Sequence, residues 1–202
     1  MGGISASDNG MKLETERLIL RDFVKDDWLA VLEYQSDPLY LRYYEWTERT
    51  PEAVQEFVGW FLDNEKQMPR IKFQLAVTLK SNHQLIGNCG IRMDHANAFQ
   101  ADIGYELDPK HWKRGYATEA AHAIVDFGFG TFGLHRVWSW CIADNLGSAH
   151  VLEKLGMKLE GRLREKTYFK GRWWDALIYA ILVDEWEMHK QGHPVEWKRI
   201  EE

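Results

Sequence analysis

Lys113-Arg114-Gly115-Tyr116-Ala117-Thr118 joins a strand-like segment to an Ala-rich helical one. The first N–H groups of a helix have no partner inside it and sit at the positive end of its dipole. Such an end suits a phosphate or pyrophosphate. Gly115 lets a ligand approach the backbone, and Lys113 and Arg114 add positive charge. The same residues also make an ordinary turn with a glycine and a threonine cap. One glycine falls short of a dinucleotide fingerprint, and the Gly-Lys-Ser/Thr of a P-loop is missing. Further on, Asn145-Leu146-Gly147-Ser148 opens another helix. Asn145 is a good N-cap there, and a plain cap explains it equally well. Cys141 lies between Trp140 and Ile142 with no flanking base to activate it, so it reads as a buried structural thiol. His135 reads as a surface residue before a strand and Asp175 as structural. The Trp173-Trp174 pair either walls a site or packs.

These residues need elements to hold them. Residues 17–23 have the apolar content of a strand. Asp26 and Asp27 offer an N-cap to a short helix through Trp28, Val31 and Tyr34 that ends near Pro38. Thr50 and Pro51 start a second helix, with Val54, Phe57, Val58, Phe61 and Leu62 on one face. Residues 73–79 alternate, Asn82-His83 turns, and residues 85–93 return as a hairpin partner with Gly87 and Gly90 as bulges. Residues 102–107 alternate through Ile103, Tyr105 and Leu107 until Pro109. Residues 136–142 form a further strand, and Gly156 closes the helix through Ala149, Leu152 and Leu155. Residues 158–169 and 173–183 close the pattern. The last is apolar on both faces, as a central strand is.

The chain has 202 residues, which fits one domain with its own core. No composition break, repeat or linker divides it. Residues 1–10 read as a loose tail without the apolar core of a secretory signal, and no stretch reaches the roughly 18 apolar residues of a membrane helix. Two cysteines make no disulfide framework and suit a reducing cytoplasm. No ligand spacing points to a metal. A net charge of -6 disfavours nucleic acid and is compatible with a cationic substrate such as an amine. The chain has 10 Trp, 9 Phe and 8 Tyr, enough to line a cleft, although core packing uses such residues more often.

Taken in order, residues 103–129 (IGYELDPKHWKRGYATEAAHAIVDFGF), 145–157 (NLGSAHVLEKLGM) and 160–181 (EGRLREKTYFKGRWWDALIYAI) resemble the GNAT superfamily of acetyl-CoA-dependent N-acetyltransferases. The opening LETERLILRDFVKDDW is similar to the ribosomal-protein N-terminal acetyltransferase (RimJ/RimL-type) branch and its small-molecule relatives. The resemblance spans residues 13–186. It implies a single α+β (α/β) domain over residues 11–190, with tails at 1–10 and 191–202. Its sheet would have seven strands, mixed but mostly antiparallel, with helices on both faces. The fourth and fifth strands, near 102–107 and 136–142, would splay to admit the pantetheine arm.

The resemblance also implies the chemistry. Acetyl-CoA would be the cosubstrate, with no metal. In the family's Gln/Arg-x-x-Gly-x-Gly/Ala loop, Gly115 and Ala117 match the last two anchors and Trp112 stands at the first. Lys113, Arg114, Gly115, Tyr116, Ala117 and Thr118 would hold the pyrophosphate, and Asn145 the arm. Leu107 would join them from the splayed strand, where a backbone N–H between Glu106 and Asp108 would hold the oxyanion. Ser148 matches a serine that protonates the departing thiolate, residues 151–155 offer no tyrosine for that task, and water is the alternative proton source because serine is a weak acid. An amine would attack the thioester directly. Alkyl amines ionise at about 10.4 and α-amines at about 8, so a base helps. Glu106, near the splay, is one candidate, although an exposed strand carboxylate is the plainer reading. Glu165 is another, two residues from Thr167, where the branch carries a glutamate. The acceptor would be a protein or peptide N-terminus or a small-molecule amine, and the enzyme a possible homodimer in the cytoplasm, off the membrane. The alternative, favoured by Thr167, is a non-catalytic acyl-CoA-binding protein. A nucleotide-binding module is disfavoured by the missing glycines.

Overall fold

The alternating segments assemble into one sheet. The computed structural model describes residues 10–192 and 196–200. Residues 1–9 of the expected leading tail, and 193–195 and 201–202 of the trailing one, lie outside the described residues. The strands are β1 (Lys12–Glu14), β2 (Leu18–Arg21), β3 (Lys72–Leu79), β4 (Leu85–Arg92), β5 (Gln100–Leu107), β6 (Arg136–Ile142), β7 (Lys158–Phe169), β8 (Arg172–Leu182) and β9 (Lys198–Arg199). The helices are α1 (Trp28–Gln35), α2 (Pro38–Leu41), α3 (Pro51–Glu65), α4 (Tyr116–Phe132), α5 (Leu146–Lys154) and α6 (Val183–Gly192). The strand order is β7-β8-β6-β5-β4-β3-β2-β1-β9. Nine strands stand where seven were expected, because β1 and β9, three and two residues long, are too short to show alternation.

Every pairing is antiparallel except β5 with β6. That parallel ladder covers only residues 100–102 against 136–138. Beyond it the strands part, and the gap lies where the splay was expected. Alternation then gives two cores. Leu18, Leu20, Leu75, Val77, Ile103 and Leu107 face α4 and α5, while Phe23, Ala76 and Leu85 face α1 and α3.

Thr50 caps α3 as expected, accepting from Ala53 N–H at 3.2 Å. At Gly156, with φ +75°, Met157 N–H returns to Leu152 O and closes α5. Asp27 does not cap α1. Its carboxylate turns back to Val24 N–H and pairs with Arg21, so the chain enters α1 through a 3₁₀ turn. Pro38 likewise starts a helix, α2, whose cap is Asp37. No helix among the described residues is long and apolar enough to cross a membrane.

The hairpin slips register between Val77 and Thr78, leaving Ile86 as an extra residue beside Gly87. A Cβ on Gly87 would lie 2.1 Å from Glu106 O and 2.8 Å from Leu107 Cα. Gly90 is not a bulge. It pairs in register, and a Cβ there would strike Phe73 O and Gln74 at 2.4 Å. Gly87→Ala is expected to cost about 1–3 kcal/mol, because the obstacle is backbone. Gly59→Ala, inside α3 with nothing within 4 Å, is expected to gain about 0.5–1 kcal/mol. Urea unfolding of both variants checks the contrast.

Candidate active site

One cleft of about 1130 Å³ runs through the β5–β6 gap. Glu106, Leu107, Lys113, Gly115, Tyr116, Ala117, Thr118, Asn145 and Ser148 all line it. Arg114 and Glu165 are not among its lining residues.

The loop before α4 sits at one end. Gly115 adopts φ +84° and Lys113 φ +61°, which turns the chain sharply into the helix. The loop is tied from outside. Arg17 pairs with the buried Glu119 at 2.7 Å, donates to Arg114 O at 3.0 Å, and lies 4.6 Å from the centre of the Tyr116 ring. Thr15 Oγ1 donates to the same carboxylate at 2.6 Å. A cradle of helix N-terminal N–H groups beside Lys113 fits a pyrophosphate.

In the gap, the ladder decides which backbone groups are free. Asp108 N–H is spent on Ile86 O at 2.8 Å. Gly87 and Leu107 are therefore a non-hydrogen-bonded pair, and the Leu107 N–H and C=O turn away from β4. The carbonyl accepts from Trp112 Nε1 at 2.8 Å. Two residues earlier on that edge are Tyr105 and then Ile103, whose carbonyl accepts from Ser139 Oγ across the gap at 2.8 Å. Of the N–H groups between Glu106 and Asp108, Leu107's is the one turned to the gap.

Ser148 is in the first turn of α5, where Asn145 Oδ1 accepts its N–H at 3.2 Å. Tyr105 reaches it from β5, with its hydroxyl 2.9 Å from Ser148 O and 3.0 Å from Ser148 Oγ. Cys141 is hydrogen-bonded to Ser148, and burial pushes its thiol up to about 11. Burial likewise raises Cys89 to about 12.

Glu106 lies on the opposite face of β5 from Tyr105. It is not a bare strand carboxylate. Oε1 accepts from Tyr34 at 2.6 Å, Gln35 at 2.9 Å and Asn88 at 2.6 Å; Oε2 accepts from Tyr40 at 2.5 Å and Tyr44 at 3.3 Å. Five donors meet about four lone-pair sites, so the carboxylate is saturated. Burial, then the charge of Glu106, pushes the Tyr34, Tyr40 and Tyr44 hydroxyls upward, and all three stay protonated donors. The amides are themselves oriented. Arg49 donates to Gln35 Oε1 at 2.8 Å. Arg92, paired with Asp102, donates to Gln74 Oε1 at 3.0 Å, and Gln74 donates to Asn88 Oδ1 at 2.5 Å.

Glu165 is elsewhere. β7 carries an irregularity between Leu163 and Thr167, and Glu165 sits in it at φ +51°, exposed, donating its N–H to Asp175 Oδ1 at 2.8 Å. Simple alternation fails there, so a residue two places from Thr167 does not share its face. That N–H and then Arg162 hold the Asp175 carboxyl below its usual range. His135 is exposed. Trp174 is buried against Phe169, Trp173 is exposed, and neither lines the cleft. The sequence reading missed Tyr34, Gln35, Tyr40, Tyr44, Asn88 and Tyr105. Only the alternation of Tyr105 with Ile103 and Leu107 hinted at any of them.

The family model described as "Acetyltransferase (GNAT) domain" matches residues 17–158. The chain is 34% identical over 177 residues to "Uncharacterized N-acetyltransferase YnaD" of Bacillus subtilis (strain 168), covering 87% of this chain and 99% of that one. A solved GNAT-family acetyltransferase from Bacillus anthracis is similar with a TM-score of 0.74 and 34% identity, over 85% of this chain and 98% of that one. A ribosomal-protein-S5-alanine acetyltransferase from Vibrio fischeri shares the fold with a TM-score of 0.72, at 23% identity over 87% of this chain and 98% of that one.

A thiol raised to about 11 is ionised on the order of one part in a thousand at pH 8. Iodoacetamide is expected to label Cys141 in the native protein at least about tenfold more slowly than in urea. Equal rates would show an accessible thiol of ordinary acidity instead.

Proposed function

The chain belongs to the GNAT acetyltransferases, in the RimJ/RimL-type branch, and from that premise we propose that it acetylates a primary amine by direct attack on acetyl-CoA, using the cleft through the β5–β6 gap. As an acetyl-CoA-dependent N-acetyltransferase it is an enzyme, and the non-catalytic alternative falls away.

One observation carries the reading. A single cleft is lined by the helix N-terminus, by Glu106 and by Leu107, whose N–H turns away from β4. Acetyl-CoA supplies the thioester. The N–H groups of the 113–118 loop, with Lys113, suit its pyrophosphate, and Asn145 suits its arm. Leu107 N–H, turned away from β4, would hold the carbonyl oxygen as charge develops on it. Ser148, in the first turn of α5, would face the departing sulfur.

The acceptor amine approaches from the Glu106 face. A saturated carboxylate accepts a proton or an ammonium only by releasing a donor. Tyr44 makes the longest of the five bonds, 3.3 Å, and lines the cleft, so it is the donor to be displaced. Glu106 then takes the amine's proton. The acceptor is an amine on a peptide N-terminus or a small molecule, admitted between Tyr40, Tyr43, Tyr44 and Trp140.

Release of CoA thiol from acetyl-CoA is the test, against peptides of varied N-terminus, polyamines, aminoglycosides and amino acids. Turnover is expected with one acceptor class. Glu106→Gln is expected to lower kcat by about 10²–10⁴-fold while acetyl-CoA affinity stays within about twofold. Silence across the panel would overturn the reaction, and an unchanged kcat in Glu106→Gln would overturn the base.

A further inference from the structure

Ser148 has a partner that residues 151–155 do not supply. Tyr105 stands on β5, its ring packed on the α4 core and its hydroxyl aimed at the first turn of α5. That hydroxyl has one hydrogen and two acceptors at nearly equal distance, Ser148 O at 2.9 Å and Ser148 Oγ at 3.0 Å. Two arrangements follow. When Tyr105 donates to the carbonyl, its oxygen accepts from Ser148 Oγ–H, and the serine hydrogen is tied back. When Tyr105 donates to Oγ, the serine hydrogen is released from Tyr105 and can point into the cleft, where Cys141 is its other neighbour.

A serine inside a helix has a competing habit, which is to donate to the carbonyl four residues earlier. Here that carbonyl is Asp144 O, one place before the Asn145 cap of α5, and it accepts from the Tyr43 hydroxyl at 3.0 Å. We propose, on the footing of the acetyl transfer above, that Tyr105 is a positioning residue for Ser148, turning the serine hydroxyl toward the sulfur that departs from the thioester. In the reaction a C–N bond forms and the C–S bond breaks. Sulfur leaves with the bonding electron pair, the amine's proton goes to Glu106, and water finally protonates the thiolate.

Ser148 donates a hydrogen bond to the developing charge, Tyr105 donates to Ser148, and neither transfers a proton. Burial raises the Tyr105 hydroxyl above its ordinary range, so the departing CoA thiolate, conjugate base of a stronger acid, does not draw its proton away. The pair acts as two donors in series, Tyr105 to Ser148 and Ser148 to sulfur.

Tyr105→Phe keeps the ring and removes only the hydroxyl. It is expected to lower kcat about tenfold, with KM for acetyl-CoA and its calorimetric Kd within about twofold. Ser148→Ala is expected to do the same or more. In the Ser148→Ala background, Tyr105→Phe is expected to cost nothing further, because the hydroxyl then has nothing to orient. A purely structural role would give additive losses. Additive losses, an unchanged kcat, or an effect confined to KM would each overturn the proposal while leaving acetyl transfer standing. A wild-type protein that releases no thiol with any acceptor would overturn both.

Discussion

The aborted pairing of β5 with β6 is the constraint on which the rest of the structure depends. A sheet that parts in its middle exposes backbone groups on both edges, and buried backbone groups left unpaired are costly. The gap is bearable because side chains stand in for the missing strand. Ser139 Oγ answers Ile103 O, and Trp112 Nε1 answers Leu107 O. Trp112 thus has a reason to stand where the family's loop has Gln or Arg: its indole closes the end of β5 as the chain turns toward α4. The bulge at Gly87 works from the other side, letting β4 lie against Glu106 O and Leu107 at a distance no side chain would allow.

A second constraint governs the surroundings of Glu106. A half-buried carboxylate is stable only when its lone pairs are met. Glu106 meets donors from α1, α2, the segment after α2, and β4. An amide can face either way, but each amide here is set by an arginine behind it. Arg49 fixes Gln35, and Arg92 fixes Gln74, which fixes Asn88. Both chains end with N–H pointing at Glu106. The stacking of Tyr44 between Tyr40 and Trp46, at 4.5 and 4.9 Å, and Arg49 over Trp46 at 4.6 Å, hold the same wall from behind.

This arrangement explains what could be read from residues alone. The 113–118 loop, the Asn145 cap, the stop at Gly156 and the strand pairs were legible because each depends on neighbours in sequence. The gap was legible only through the resemblance. Asp27 misled because a cap residue is also a good partner for an arginine, and Arg21 was nearer. Glu165 misled because alternation assumes an unbroken strand, and the irregularity in β7 breaks it. Tyr34, Gln35, Tyr40 and Asn88 carry no pattern of their own. They become one site only when α1 folds over β4, which places Tyr34 72 positions from Glu106 within 2.6 Å of it.

The proposed reaction needs three things at once: a donor on the leaving sulfur, a donor on the carbonyl oxygen and an acceptor for the amine's proton. Tyr105, Glu106 and Leu107 are consecutive. A strand sends neighbouring side chains to opposite faces. Tyr105 therefore meets Ser148 on the α5 face, Glu106 meets the tyrosines on the α1 face, and the Leu107 N–H turns into the gap between them. The spacing among the three is thus set by the covalent geometry of one strand, whose other edge is held by β4 along residues 102–107. A loop bearing the same residues would have to be ordered for every turnover, whereas a paired strand holds them in place before substrate arrives.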